Sequence, residues 1–328
     1  MTAMPRVPAS ESALAIDVAI AAQLACLLEA SAPKPGNVSP GRDFGDVCYQ
    51  EFLASAAAIG APLAEAATRP VGQTVRLAVE ATARWTRSNT NLGIVLALAP
   101  IARAAPQVRL TPDTTNGSTV AAVVSGFSRT LRAAVQSVLD DTTVDDAREV
   151  YAAIRLAAPG GLGRVADQDV AGEPTLPLVD VMRLAAGRDA IAREYATGFA
   201  VTFETGAPAL DRALADGLSW DDATVETFLR LLASAPDTHI ARRGGAALAA
   251  EVSDRARAAL GAGGVRSAAG REAIARMDRQ LRDASHLANP GAAADLTAAA
   301  IFVVLLGGGW QASLGRPAAQ GARDAASR

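Results

Sequence analysis

The chain has 328 residues, half of them hydrophobic but only 4% aromatic, with a formal net charge of -3. That length can bury a large core, while the slight negative balance removes the electrostatic basis for nucleic acid as a bulk partner. Cys26 and Cys48 are too few for a disulfide framework.

Residues 1–10 lack the apolar core of a secretory signal and read as a tail, as do residues 316–328. Apolar residues over 13–30 predict a helix that stops at Ser31-Ala32-Pro33, because proline disfavours helix in the residue before it. "YQEFLASAAAIGAPLAEAA" (49–67) and "GQTVRLAVEATARWT" (72–86) predict helices separated by "TRPV". "NLGIVLALAPIARAA" (91–105) follows, then an irregular polar loop, "PQVRLTPDTTNGST" (106–119). Thr143 with Asp146, and Ser219 with Asp222, have capping-box spacing and open helices at "AREVYAAIRLAA" and "ATVETFLRLLAS". Amphipathic stretches at 176–203, 246–260, 271–287 and 292–306 predict further helices, and "GRVADQDV" (163–170) is the one strand candidate. The longest apolar run, 297–306, is too short to span a bilayer. These signs together predict an all-α, soluble, cytoplasmic protein with one large domain over 11–315, and leave a homo-oligomer open. No internal repeat suggests a helical adaptor.

Chemistry is concentrated in the polar punctuation. "KPGNVSPGRDFGD" (34–46), "RSNTNLG" (87–93), "APGGLGRVADQDV" (158–170), "PDTHIARRGG" (236–245) and "ANPGAAAD" (288–295) combine glycine or proline with charged or amide side chains beside apolar helices. Glycine lets backbone approach a ligand, and helix N-termini offer free N–H groups to phosphate. One such junction alone is an ordinary helix connection; several at one end of a bundle would form a polyphosphate cleft.

Four of these segments, "KPGNVSPGRDFGD", "SNTNLGIVLALAP", "DTHIARRGG" and "NPGAAADL", resemble in order and spacing the triphosphoribosyl-dephospho-CoA synthase family. Lys34, Pro35 and Gly36 match its Lys-Pro-Gly. Asn89, Thr90 and Gly93 match its Asn-Thr-His-Lys-Gly, with Asn91 and Leu92 in place of His and Lys. Asp46 matches the aspartate of its Gly-x-His-x-Asp-Met, and Asp43 lies in the same segment. Asp237, Arg243, Gly244 and Gly245 match its Asp…Arg-Gly-Gly, and Pro290, Gly291, Asp295 and Leu296 its Pro-Gly…Ala-Asp-Leu. The pattern is closer to a divergent branch from archaea and one-carbon-metabolising bacteria than to the citrate-lyase branch.

The resemblance implies an all-α transferase that moves the triphosphoribosyl group of ATP to a ribose hydroxyl of dephospho-CoA and releases adenine. The β-glycosidic donor and α-linked product imply inversion at C1′ through an oxocarbenium-like transition state. A carboxylate is then needed to accept the hydroxyl proton, from Asp46, Asp237 or Asp295. Mg²⁺ is the expected cofactor, with Asp43, Asp46 and Asp295 as candidate ligands. Lys34, Gly36, Asn37, Arg42, Asn89, Thr90, Asn91, Gly93, Arg243, Gly244 and Gly291 are candidate nucleotide-binding residues, with Arg242 a further available cation. Lys34 is the sole lysine of the chain. The change to Asn91-Leu92 raises the alternative of another acceptor, such as a ribitol-bearing precursor of a methanopterin-type carrier.

Structural roles compete with several of these assignments. Asp43 and Asp46 could cap the helix at "VCYQEFLAS", Asp237 the helix at "THIARRGG", Asp295 the last helix, and Asn89 or Asn91 the helix after them. Arg243 could pair with Glu251 or Asp254, and Asp189 with Arg193 four residues on. His239 and His286 are too few for a histidine zinc site. A Mg²⁺-dependent hydrolase of a ribosyl or pyrophosphate bond, and a noncatalytic scaffold, remain as other readings. The scaffold requires that Lys34, Asp46, Asn89, Asp237 and Asp295 do not cluster.

Overall fold

The computed structural model describes residues 11–108, 120–282 and 285–310. The expected tails and most of the 106–119 loop lie outside the described residues. Fifteen α-helices follow one another in those residues: α1 (Glu11–Ser31), α2 (Tyr49–Ala58), α3 (Gly60–Ala64), α4 (Val71–Ala83) and α5 (Leu92–Ala104), then α6 (Val120–Asp140), α7 (Val144–Ala157), α8 (Leu178–Ala185), α9 (Ala190–Thr197) and α10 (Ala207–Ala215), and finally α11 (Trp220–Ser234), α12 (Thr238–Gly244), α13 (Ala246–Gly261), α14 (Ala268–Leu281) and α15 (Gly291–Leu306). An isolated bridge between Ser39 and Arg42 is the only strand-like pairing among them. The all-α expectation holds.

α15 is the hub. A helix apolar on every side must be buried on every side, and α15 packs against α1, α5, α10 and α11. Its Ala292, Ala293, Ala294, Ala298, Ala299 and Ala300 are buried, so neighbouring helices can approach closely. α5 is nearly as enclosed and carries Pro100 in its interior, which cannot donate back to the Leu96 carbonyl. The buried Tyr195 hydroxyl donates to that carbonyl instead, at 2.8 Å. A second apolar cluster lies among α11, α13 and α14.

Some boundaries differ from expectation. The 176–203 stretch is not one helix: α8 ends before Gly187, and Asp189 caps α9 by accepting from Ala192 N at 2.9 Å. Asp189 does not pair with Arg193, whose Nε donates to the Ala186 carbonyl. The 271–287 helix stops at Leu281. "GRVADQDV" is a loop in which Asp169 accepts from Val165 N and Ala171 N, a local turn that replaces strand pairing. The Thr143–Asp146 capping box forms, and Asp146 also accepts from Gly72 N, joining α7 to α4. Ser219 caps α11, but the Asp222 carboxylate pairs with Arg271 rather than closing the box.

The longest apolar helix is α1, not the 297–306 run. Its Leu14–Ser31 window has a mean hydropathy of 1.7, long and apolar enough to cross a bilayer by length and composition. Here it packs on α2, α3 and α15 and carries the buried carboxylate Glu29.

Candidate active site

The N-termini of α5, α9 and α12 meet at that of the hub helix, α15. Asp237 joins two of them. Its Oδ1 accepts from His239 N and Ile240 N at 2.8 and 3.1 Å, capping α12, and its Oδ2 accepts from Ala293 N at 2.8 Å, capping α15. The Thr238 hydroxyl accepts from Ala190 N and brings in the start of α9. Gly93, in the first turn of α5, lies directly against Asp295: a Cβ there would stand 2.0 Å from Asp295 Oδ2. Only glycine leaves room for the carboxylate.

Asp295 is the uncommitted group. It is half-buried and accepts no hydrogen bond from any described residue. Burial, and then the charges of Glu29, Asp237 and Asp189, push its proton affinity well above the usual carboxylate range, with Arg242 opposing them. Burial also raises Asp237 to about 6 against the pull of its backbone donors. A cavity of about 40 Å³, lined in part by Arg193, Asp237, Thr238 and Leu296, adjoins the cluster. It has room for a water or two and no more.

Lys34 is placed unexpectedly. Its ammonium is fully buried, 2.9 Å from Glu29 Oε1, and also donates to the carbonyls of Glu29 and Ala32. An ammonium has three donors, and all are used. The expected phosphate clamp is therefore, in this arrangement, an internal anchor between the end of α1 and the loop that follows. The rest of that loop hangs on Asp278 of α14. Gly36 N and Arg282 Nε donate to its Oδ1, and Arg42 Nη1 to its Oδ2. Arg282 also donates to the carbonyls of Asn37 and Arg42. Gly36 has φ +75°, and a Cβ there would meet Leu281 at 2.9 Å, so both conformation and space require glycine. Asn37 is buried, and Asn289 Nδ2 donates to the Gly36 carbonyl at 2.7 Å, tying this loop to the approach of α15.

Across the site, Arg243 spans three partners, the carbonyls of Ser285 and His286 and the Nε2 of His239. It does not pair with Glu251 or Asp254, which hold Arg255 and Arg257. Burial, then Arg242 and Arg243, lower His239 to about 4, so its ring is neutral. Gly291 and Gly244 permit close packing: a Cβ at 291 would lie 2.8 Å from His239 Nδ1, and one at 244 would lie 2.6 Å from Leu248.

The carboxylates expected to ligate metal do not converge. Asp43 Oδ1 accepts from Tyr49 N at the start of α2, the capping role considered above. Asp46 is exposed on the rim, 4.0 Å from His286 Nε2, and His286 stacks on Phe44. No group of three His, Cys, Asp or Glu side chains is arranged to hold an ion among the described residues. Asn89 caps α5 by accepting from Leu92 N, while Thr90 shares a hydrogen bond with Ser55. Asn91 is buried on Thr82, and Leu92 belongs to the main core. Both residues that depart from His-Lys are thus turned into the protein interior.

Lys34, Asn89, Asp237 and Asp295 are brought to one region, through Glu29 and Gly93, with Asp46 at its edge. Sequence reasoning missed Glu29 and Asp278, and considered Asp189 only as a partner of Arg193. Glu29 had a signal: a lone carboxylate closing an apolar helix, five residues before the lone lysine. Asp278 had none, because it sits among ordinary helical charges.

Comparison with known sequences is decisive here. The profile of the ATP:dephospho-CoA triphosphoribosyl transferase family matches residues 15–314. The chain belongs to this family. A Pseudomonas aeruginosa relative, named as a probable 2-(5''-triphosphoribosyl)-3'-dephosphocoenzyme-A synthase, is 39% identical over 127 residues, 38% of this chain and 43% of that protein. One of the same name from Pseudomonas syringae pv. tomato is 35% identical over 113 residues, 34% of this chain and 38% of that protein. The match thus spans less than half the length of these relatives. A crystal structure from Archaeoglobus fulgidus, a candidate triphosphoribosyl-dephospho-CoA synthase, superposes with a TM-score of 0.55 at 27% identity, covering 78% of this chain and 98% of that one.

Proposed function

We propose that this protein transfers the triphosphoribosyl group of ATP to a hydroxyl of dephospho-CoA and releases adenine. Family membership supports the substrates. The observation that carries the chemistry is the Asp295 carboxylate, which accepts no hydrogen bond from any described residue and lies where the starts of α5, α9, α12 and α15 meet.

The acceptor hydroxyl attacks C1′ of the ATP ribose from the face opposite adenine, the new C–O bond forming as the C1′–N bond breaks. Asp295 takes the hydroxyl proton, and a proton supplied to the departing base completes adenine. A general base needs more proton affinity than an ordinary carboxylate has, and burial with neighbouring carboxylates raises that of Asp295. Glu29 is paired with Lys34, and Asp237 is committed to three backbone donors, which leaves Asp295 as the carboxylate open to a substrate hydroxyl. The same negative surroundings would favour positive charge developing on the ribose.

Mg²⁺ would neutralise the triphosphate. It is commonly held through one or two carboxylates together with substrate phosphates. In this cluster Asp295 is the uncommitted carboxylate, so the ion would be carried chiefly by the nucleotide.

The test is adenine release from MgATP, with and without dephospho-CoA, followed by mass spectrometry of the product. Asp295→Asn should lower turnover roughly 10²–10⁴-fold while nucleotide binding survives. Adenine release without acceptor would favour hydrolysis, and transfer only to a ribitol acceptor would restore the divergent-acceptor reading. Full activity of Asp295→Asn would overturn the base assignment.

A further inference from the structure

We infer that Arg164, on the glycine-rich strap between α7 and α8, binds the polyphosphate of the nucleotide donor at the rim of the Asp295 cluster. The inference rests on the proposed function and extends it to a segment with no role so far. α7 ends at Ala158 in the left-handed region, with φ 44°, and Gly161 and Gly163 continue with φ 78° and 67°. This winds the strap tightly back across α12. It is pinned there by Arg242, whose Nε donates to the Gly160 carbonyl at 3.1 Å and whose Cγ lies 3.1 Å from where a Gly161 Cβ would be. Arg242 also reaches Asp189 at 3.5 Å and is the cation that opposes the acidic field on Asp295. The strap therefore crosses the edge of the site.

Its far end is fixed by Val165 N donating to Asp169 at 2.7 Å. Arg164 stands on the crest between these anchors, four residues from Gly160, so its Cα lies within about 14 Å of the Arg242 contact. The crest faces open space: a Cβ at Gly160 or Gly163 would meet nothing within 4 Å. Arg164 is exposed and makes no hydrogen bond or close ion pair with a described residue, though its field reaches Asp169. Other cations nearby are engaged: Lys34 on Glu29, Arg42 and Arg282 on Asp278, and Arg243 on backbone carbonyls. A triphosphate brings about four negative charges to a region rich in carboxylates, and guanidinium groups bind phosphate in bidentate fashion. Arg164 supplies charge that the anchored residues do not.

The experiment titrates wild type, Arg164→Gln and the remote surface control Arg276→Gln with MgATP and with magnesium tripolyphosphate by calorimetry, alongside thermal melts. Arg164→Gln should bind both ligands about ten-fold more weakly, with unchanged melting temperature, and the control should match wild type. Equal binding by Arg164→Gln and wild type, where wild type binds MgATP, overturns the strap assignment alone. Equal weakening in the control also overturns it, since the effect would then be general surface charge. Failure of wild type to bind either ligand overturns both this inference and the proposed function.

Discussion

A buried ammonium must spend its donors, and Lys34 spends all three within five residues of itself, on Glu29 and Ala32. Breaking a buried pair from one side strands the other charge. Lys34→Ala should therefore destabilise the protein by about 3–5 kcal/mol, whereas Lys34→Met combined with Glu29→Leu should recover most of that loss, as chemical denaturation would show. Recovery would identify the pair as an anchor rather than a phosphate contact. His239 and Asp237 respond to acid in opposite senses. His239 is held at about 4 against an ordinary 6.5, so the unfolded chain binds its proton first and stability falls as pH drops through that window. Asp237 is raised to about 6 from 3.8, so the folded chain binds first and its stability contribution grows as pH falls through that window. Asp295, raised chiefly by burial, acts in the same sense as Asp237. His239→Gln should thus gain stability relative to wild type between pH 6.5 and 4, measured as the difference in denaturation midpoints at each pH.

Between elements, the site depends on close approach more than on side-chain reach. Gly93→Ala would drive a methyl group into Asp295 and push α5 from α15. It should cost about 1–3 kcal/mol in overpacking and also abolish adenine release, a double effect that Asp295→Asn should not share. Asp237→Asn would face Ala293 N with either a poorer acceptor or a second donor, loosening α12 and α15 together. Hydrogen exchange should speed up at His239, Ile240 and Ala293, with about 1–3 kcal/mol lost. The sequence made the helices themselves readable, because period and proline stops operate over a few residues. It also marked the segments that meet at the site. Which side chains in those segments face a ligand was not readable. Lys34, Asn91 and Leu92 look alike in a loop whether they point out or in, and that choice is made by how the loop folds back on partners such as Glu29 in α1 and Thr82 in α4.

At the scale of the whole molecule, one helix serves as both the centre of the hydrophobic core and the floor of the site. Folding and assembly of the site are then one event. Nucleotide and metal should be linked in the same way, since the protein alone offers no ready cage among its described residues. Mg²⁺ alone should leave the melting temperature unchanged, ATP alone should raise it little, and the two together should raise it by more than the sum. A shift with Mg²⁺ alone would point to a protein-only site. The all-α architecture followed from composition and periodicity, but the meeting of four helix starts depends on long-range packing through α15, which no local pattern records.

The burial of the sole lysine has a chemical consequence beyond its ion pair. A folded surface without any lysine amine offers amine-selective reagents no side-chain amine along the chain, leaving only an α-amine. Unfolding uncovers one further amine, the ε-amine of Lys34. Mass labelling with an amine-reactive ester should therefore add a single extra adduct, at a rate set by how often this part of the molecule opens. The protein carries its own single-site reporter, placed between α1 and the loop on which the site is built.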